Sequence, residues 1–518
     1  MELLARNLLM KWKSALVLLT CAVAFDLLFY QRSLGLNLPL FVLLTFAFLL
    51  ERNGWKGLSH AARWAMLGAL WSATMVFVHH TGLAMFMSIL GAVAAAAFAN
   101  EARLRSLFYA FAQAVANGIA LPAAAVEHAG TAMGQGNAVR STWRVGRLVM
   151  LPFLGAIIFF QLYRVGSPKF EAITAGLLNG VGEWLGRLVE FFFTAHVLFF
   201  LFGSFICGAL LFKCAPRFVL QVEAELSDVL ERARKRRAKW LPPRSMAPLE
   251  RERRMGVVLL ILVNSLLLVV NVLDIQWLWF GFEVPVGFSL KQFVHEGTWT
   301  LIFSILLSMV ILLYLFRRNL NFYSRSAGLR SLAILWVAQN LVLGTSVFLR
   351  NYHYIDYHGL AHKRIGVIVF LLLVLIGLIT LYVKIRKRKS FFFLARVNAW
   401  AAFAVVTGLT SIDLDRAIVR YNLAHANPGE VDIDNYLALG DRVLPLLYAD
   451  MDLVEQQMAQ HRANRVRWVE HLEPADFKAE LDRKRELFIE RYERQRWQEW
   501  NLADRSTASE LKEQVLFH

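Results

Sequence analysis

The sequence predicts an all-α integral membrane protein of about 11 transmembrane helices, with its N-terminus inside and a small helical C-terminal domain outside. Three observations predict this class: repeated apolar segments of membrane-spanning length, an uneven distribution of basic residues, and a composition with 57% hydrophobic residues and 39 phenylalanines. One water-soluble core would not absorb so many apolar side chains. The lipid bilayer is therefore the first predicted partner.

The apolar segments approach the roughly 20 residues that a helix needs to cross the hydrocarbon core. The two shortest are completed by flanking residues that reach the interface. The eleven segments are 14–30, 34–50, 62–78, 83–99, 148–163, 191–212, 257–280, 297–316, 331–349, 366–383 and 391–410.

The basic residues predict the orientation. Residues 411–518 carry 15 Lys and Arg against 21 Asp and Glu, which leaves a net charge of +23 for residues 1–410. With the N-terminus inside, about 33 of the 41 basic residues of 1–410 fall in cytoplasmic segments, as the positive-inside rule requires. The odd number of spans then puts the C-terminus outside, and in a bacterium this side would be the periplasm. Since topology explains the charge, nucleic acid is not a predicted partner, although anionic lipid headgroups suit the basic cytoplasmic loops.

Two further apolar stretches decide the span count. If 106–124 crossed the membrane, parity would place the basic loop 213–254 outside, against the charge rule. We therefore expect 106–124 to lie at the cytoplasmic face or to re-enter it. The stretch 170–189 has apolar residues at helical spacing and is expected to form an interfacial helix on the outer side.

Four segments are predicted along the chain. They are a first transmembrane bundle of six spans (1–212), a basic cytoplasmic loop (213–254), a second bundle of five spans (255–410) and an extracytoplasmic helical domain (411–518). We call residues 411–518 the tail. Its charges of both signs are interspersed, and its aromatic residues recur every three or four positions, so we expect a helical domain docked on the membrane part.

The cysteines Cys21, Cys207 and Cys214 show no paired spacing and indicate neither a disulfide framework nor a thiolate metal site. No motif in the sequence indicates a cofactor. Polar residues within the spans are expected to reach the interface (Asp26, Asp274, Arg396) or to form hydrogen bonds between helices (Asn264, Asn271, Gln339, Asn340).

Three segments at the predicted outer level are rich in ionisable and aromatic residues and could converge on one polar cluster. His358 and His362, four residues apart, would face the same way on a helix and could bind a metal ion. The alternative is a belt of interfacial residues at the headgroup level. The candidate residues are His295, Glu296, Tyr354, Asp356, His358, Arg364, Asp413, Asp415 and Arg416.

These three segments carry a resemblance. The segments 293–299, 354–364 and 411–422, the last ending Arg420-Tyr421-Asn422, resemble motifs of bacterial polytopic inner-membrane proteins of the domain-of-unknown-function type, the DUF4153/DUF4173-like group. The resemblance covers mainly the second half of the chain. His295 stands where Arg is expected, and His358 where Tyr is usual. The resemblance implies a fold and an inner-membrane location, and it brings no activity.

Three functional hypotheses remain open. The favoured one is a non-catalytic envelope sensor or scaffold that engages a protein partner through its outer face and the tail. A transporter or permeation protein is the alternative, although the sequence shows no internal repeat. The third is a membrane-embedded enzyme acting on a lipid-linked or phosphate-bearing substrate, with Glu296 or Asp413 as base and His358 or Arg364 binding phosphate. The sequence holds no Ser-His-Asp arrangement or phosphate loop, which disfavours an enzyme.

Overall fold

The structure is a computed structural model, and it describes residues 2–132, 163, 167, 169–170, 194–214, 218–232, 247–280, 290–317, 319–425, 431–463 and 472–517. Within these residues the secondary structure is helical, apart from one isolated antiparallel bridge between Val229 and Lys389. The predicted all-α membrane class is confirmed.

The described helices before the tail include nearly all of the predicted spans. They are α1 (Glu2–Phe29), α2 (Asn37–Gly57), α3 (His60–His79), α4 (Gly82–Asn100), α5 (Leu107–Ala132), α6 (Ala195–Leu211), α7 (Phe218–Ala224), α8 (Ala247–Asp274), α9 (Leu290–Leu315), α10 (Ala327–His358), α11 (His362–Lys387) and α12 (Phe391–Leu409).

The tail is a set of shorter helices. They are α13 (Leu414–His425), α14 (Asn435–Ala438), α15 (Leu444–Ala449), α16 (Met451–Ala463), α17 (Pro474–Arg494) and α18 (Leu502–Phe517).

Nine helices of the described residues are long and apolar enough to cross a membrane. Eight of them coincide with predicted spans, namely α2, α3, α4, α8, α9, α10, α11 and α12. The predicted span 14–30 lies in α1, and 191–212 corresponds to α6, which has 17 residues. Residues 148–162 and 171–189 lie outside the described residues. The count of eleven spans therefore stays a prediction.

The ninth candidate is α5, whose residues 107–125 are long and apolar enough to cross. A Cβ built on Gly118 would lie 3.6 Å from Phe205 of α6, and one on Gly208 would lie 2.8 Å from Leu121 of α5. α5 thus packs against α6 at these two positions, which lie within one helical turn of each other. The expected position of 106–124 at the cytoplasmic face therefore stays a prediction.

The chain folds as two compact units, and the predicted domain boundaries at 212, 254 and 410 stay predictions. The first unit comprises Met1–Leu70, Ile89–Arg105 and Tyr109–Gln221. The second comprises Trp71–Ser88, Ser106–Phe108 and Val222–His518. The turn between α3 and α4 therefore groups with the tail.

In the first unit, side chains cap the C-terminal end of α6. Arg52, Asn100 and Asn117 donate hydrogen bonds to the backbone carbonyls of residues 209–211, which have no partner within the helix. At the other end of α6, His196 pairs with Asp26 of α1 at 2.8 Å. Cys21 and Cys207 are free and buried, as a small apolar residue would be.

In the second unit, polar side chains link α8 to α10 in a ladder. Asn264 Nδ2 donates to Leu332 O at 3.2 Å, and Gln339 Nε2 donates to Asn264 Oδ1 at 2.9 Å. Asn271 Nδ2 donates to Gln339 O at 3.0 Å. The prediction of interhelical hydrogen bonds is confirmed for these three residues. Asn340 instead donates to Trp336 O within its own helix.

A buried ion pair ends the ladder. Arg350 Nη2 of α10 lies 2.5 Å from Asp274 Oδ1 of α8, and both side chains are 8% exposed. A π-helical turn (Ile275–Trp279) follows Asp274, and Trp279 Nε1 donates to Ser346 Oγ at 3.1 Å. The expectation that Asp274 reaches the interface is wrong, because a partner on the neighbouring helix makes its burial tolerable.

The opposite end of the second bundle is fixed by the segment that follows α7. Leu230 N and Ser390 N form backbone hydrogen bonds with Arg388 O and Asp228 O. Arg396 of α12 pairs with Asp228 at 2.7 Å, rather than only extending to the interface as expected. α12 has 19 residues, or about 28 Å, between this segment and the tail. That length matches a hydrocarbon core of about 30 Å.

Replacement of Arg350 by Met should destabilise the protein by about 3–5 kcal/mol, because Asp274 would remain buried without its cation. The measurement is unfolding by sodium dodecyl sulfate in mixed micelles. Arg254→Met is the matched control, since Arg254 is 73% exposed in its pair with Glu250 and should change little. Equal stability of the two variants would contradict the assignment.

Candidate functional site

The tail forms its own apolar core and extends it to the junction of α10 and α11. Fully buried members of this core come from α13, α15, α16 and α17, and Leu360 and Ile365 of the junction pack against it. Of the large apolar residues that recur along the tail at helical spacing, Phe477, Leu481 and Phe488 are buried. Trp468 lies outside the described residues. The part of the tail that the structure describes is thus helical and packs on the junction of α10 and α11.

Arg442 lies at the centre of the polar contacts between the tail and the membrane helices. Its Nη2 is 2.9 Å from Asp415 Oδ2, its Nη1 is 3.3 Å from Asp413 Oδ1, and Nη1 also donates to His79 O. Asp415 Oδ1 also lies 2.8 Å from His362 Nε2. Arg442 and Asp415 have side chains only 10% and 12% exposed. We call Asp413, Asp415, Arg442, His79 and His362 the joint.

The backbone at Gly440 is part of the same arrangement. Gly440 N donates to Asp415 Oδ2 at 3.0 Å. A Cβ at Gly440 would lie 2.7 Å from that oxygen. Only glycine therefore lets the chain approach Asp415 this closely.

Contacts on the turn between α3 and α4 complete the docking. Ser411 accepts a hydrogen bond from Trp71 Nε1 at 2.9 Å through its Oγ, and its carbonyl lies 3.0 Å from His79 Nε2. Phe77 and Trp500 meet edge to face at 5.2 Å. His80 Nδ1 is 4.0 Å from Asp504 Oδ1. The tail is thus held on α3 by three separate parts of its sequence, at Ser411, Arg442 and Trp500.

Asn422 of α13 clamps the junction between α10 and α11. Leu360 N donates to Asn422 Oδ1 at 2.5 Å, and Asn422 Nδ2 donates to Leu360 O at 3.0 Å. The preceding Gly359 has φ +80°, and a Cβ there would lie 2.7 Å from Asn422 Oδ1. Two of the three segments that carry the family resemblance therefore meet in this clamp.

Arg364 stabilises the same junction. Its Nη1 donates to His358 O at 2.7 Å and to Gly359 O, at the C-terminal end of α10. Its guanidinium lies 4.6 Å from the centre of the Tyr354 ring, which in turn lies 4.4 Å from the His358 ring. Cations favour a helix C-terminus and an aromatic face. Arg442, rather than Arg364, is the cation that pairs with Asp413.

The predicted candidate residues thus fall into separate groups. Tyr354, His358 and Arg364 form one, and Asp413 and Asp415 belong to the joint. Arg416 pairs with Glu510 of α18 at 2.5 Å, and Asp356 is exposed. The side chains of His295 and Glu296 lie outside the described residues.

The proposed metal site at His358 and His362 rested on a shared helix. Gly359, with its positive φ, ends α10, so that His358 closes one helix and His362 opens the next. His362 contacts Asp415, whereas His358 lies against aromatic rings. Among the described residues there is no group of three or more His, Cys, Asp or Glu that could hold a metal ion.

Two ionisable groups of the tail are perturbed by burial. Lys484 Nζ donates to Leu437 O at 2.8 Å and to Leu439 O, and burial lowers the pKa of this amine. Burial raises the pKa of Tyr436, which is 1% exposed. Each group is enclosed by the tail and serves its packing rather than a cleft.

Sequence reasoning missed Arg442, Asn422 and His79. Asn422 is the last residue of a segment that carries the resemblance, so the sequence indicated that it matters. The sequence did not indicate that its partner is Leu360. Arg442 had a weaker signal, a single cation directly before the apolar run 443–447. Nothing in the spacing indicated that His79, 363 residues away, would meet it.

The fold and the joint define a polytopic helical membrane protein with a docked helical tail. The chain belongs to the family described as "Domain of unknown function (DUF4153)", which it matches over residues 12–449. The resemblance is confirmed, and it extends into the first half of the chain. The match ends with α15, so α16 to α18 follow it. No curated protein and no solved structure matches the chain.

Replacement of Arg442 by Met should loosen the tail, because Asp413 and Asp415 would lose their cation at a largely buried position, at a cost of about 3 kcal/mol or more. Protease sensitivity of the tail in the intact protein would report this loss. The control is Arg483→Met, whose side chain is 68% exposed beside Glu480. If both variants resist proteolysis like the parent, the joint does not hold the tail.

Gly359→Ala should destabilise the junction by roughly 1–3 kcal/mol, since alanine would be strained at a positive φ and would clash with Asn422. Gly366→Ala, seven residues on, is the matched control. Gly366 is helical with no atom near a built Cβ, so alanine should be neutral or slightly stabilising there. Thermal unfolding in detergent compares the two, and a harmless Gly359→Ala would contradict the clamp.

Proposed function

We propose that this protein is a non-catalytic envelope sensor or scaffold, which engages a protein partner through its outer face and the tail. The observation that supports it best is the structural use of the joint. In and beside the joint, Arg442 donates to His79 O, Asp415 pairs with His362, and Asn422 bonds to Leu360, and these contacts fix the tail on the membrane helices. Such a tail is a rigid surface that moves with the bundle.

The tail also offers apolar surface to a partner. Leu453 on α16 is 43% exposed, and Leu487 and Ile489 on α17 are 58% and 37% exposed. Single exposed apolar residues are ordinary on a protein surface. Under this proposal, Leu453, Leu487 and Ile489 are positions at which a partner would contact α16 and α17.

The alternatives find less support in the described residues. A cavity in the first unit, lined by Asn100, Gln113, Asn117 and Lys213 among others, has a volume of about 10 Å³, enough for one water molecule. Transport through such a space would need a different conformation. An enzyme would need a cleft at Asp413 or Arg364, and both side chains are engaged by the chain itself.

The proposed setting is the inner membrane of a bacterium, with the N-terminus in the cytoplasm and the tail in the periplasm. Its support is the partition of basic residues. In this topology the basic loop 213–254 would also contact anionic lipid headgroups.

Site-specific photo-crosslinking in living cells tests the sensor or scaffold function. A photoreactive amino acid at Leu487 should give a discrete adduct with a partner protein. The matched control is Lys512, an exposed polar position on α18. Adducts at neither position, together with solute flux through the purified protein in liposomes, would favour the transporter alternative and contradict this function.

Topology is tested separately by labelling single cysteines in intact cells, in a protein lacking Cys21, Cys207 and Cys214. A cysteine at Ser509, which is exposed on α18, should react with an impermeant maleimide. A cysteine at Ser245 should react only after permeabilisation. The reverse pattern would overturn the proposed orientation.

A further inference from the structure

The turn that joins α17 to α18 exposes large apolar side chains on an ordered backbone. Trp497 is 61% exposed and Leu502 is 43% exposed. The turn is held by hydrogen bonds from Glu499 N to Arg496 O at 2.9 Å and from Gln495 Nε2 to Glu499 O at 2.8 Å. Since the backbone is fixed, the exposure of Trp497 belongs to the fold.

This turn lies at the end of a candidate membrane-spanning helix. Trp500, three residues after Trp497, packs edge to face on Phe77, which is two residues before the end of α3. The guanidinium of Arg505 lies 5.7 Å from the centre of the Trp500 ring. Trp500 therefore places the turn beside the last turn of α3.

The contacts of Ser411 show how far along α3 the tail reaches. It contacts both Trp71 and His79, which are eight residues or about 12 Å apart along α3. Ser411 thus lies beside the last two turns of a helix whose 20 residues span about 30 Å. Next to it, Ile412 is 50% exposed, and the ring of Trp71 is 49% exposed on α3. A helix of that length matches the hydrocarbon core, so the last turns of α3 approach the headgroups if α3 crosses the bilayer.

We propose that the turn 495–502 is a bilayer contact, in which Trp497 and Leu502 enter the interfacial layer of phospholipid beside the end of α3. Tryptophan favours that layer because its ring is apolar and its N–H can donate to lipid oxygens. Arg496 and Arg505 are exposed on either side and can reach phosphate groups. The proposal does not depend on the sensor or scaffold function, and it leaves α16 and α17 for a partner.

Depth measurement by spin labels tests this contact in the full-length protein. Single cysteines are introduced at Trp497, Ala479 and Val310 in a chain lacking the three native cysteines, and labelled in nanodiscs of phosphatidylcholine and phosphatidylglycerol. Val310, 60% exposed on the candidate span of α9, is the lipid reference. Ala479, exposed near the start of α17 and about 22 Å along that helix from the turn, is the water reference.

For each label, the quantity measured is the ratio of its accessibility to oxygen to its accessibility to a water-soluble nickel complex. This ratio should be several-fold higher at 497 than at 479, and closer to the ratio at 310. Accessibility at 497 equal to that at 479 would overturn the proposal and leave Trp497 as a surface for a protein partner. Because 497 is exposed, the label should not perturb folding, which gel filtration of each variant checks. A second readout is quenching of a fluorophore at 497 by headgroup-labelled lipid, which should occur in nanodiscs and not in detergent.

Discussion

The ion pair between Arg442 and Asp415 is the contact on which the position of the tail depends. Its guanidinium reaches two carboxylates at the start of α13 and a backbone carbonyl at the end of α3. Arg442 thus joins its own segment to two distant parts of the chain. A largely buried pair of this kind is valuable mainly because breaking it is costly, since a carboxylate would remain without compensation. The close approach of Gly440 and the clamp of Asn422 on Leu360 act in the same place.

The same constraint fixes the helices within the second bundle. Asp274 and Arg350 are buried together, and Arg396 has Asp228, so each charge has a partner on another segment. Charge in a membrane needs such a reason. Here the reason is assembly: each pair selects which helices pack together. These charged side chains are consequently directed toward neighbouring segments of the same bundle.

The class of fold could be predicted from sequence because the length and apolar composition of the segments follow directly from the thickness and apolar character of the hydrocarbon core. The interhelical role of Asn264 and Asn271 followed from the same argument, since an amide in lipid needs a partner. The pairing of side chains could not be predicted. Spacing along the chain carries no information on contacts such as that of Arg442 with His79. His358 and His362 show the local version of this failure, because helical spacing was assumed across Gly359, whose glycine permits the positive φ that ends the helix.

Hydrogen exchange in the intact protein tests most directly whether the tail and the membrane helices form one unit around Arg442. We expect the amides of α13 and of the junction 358–364 to be protected to a similar extent. In Arg442→Met both should lose protection together, while α8 and the residues of α10 before Arg350 keep theirs. Exchange of α13 within seconds in the parent protein, or loss of protection in α13 alone, would contradict this expectation.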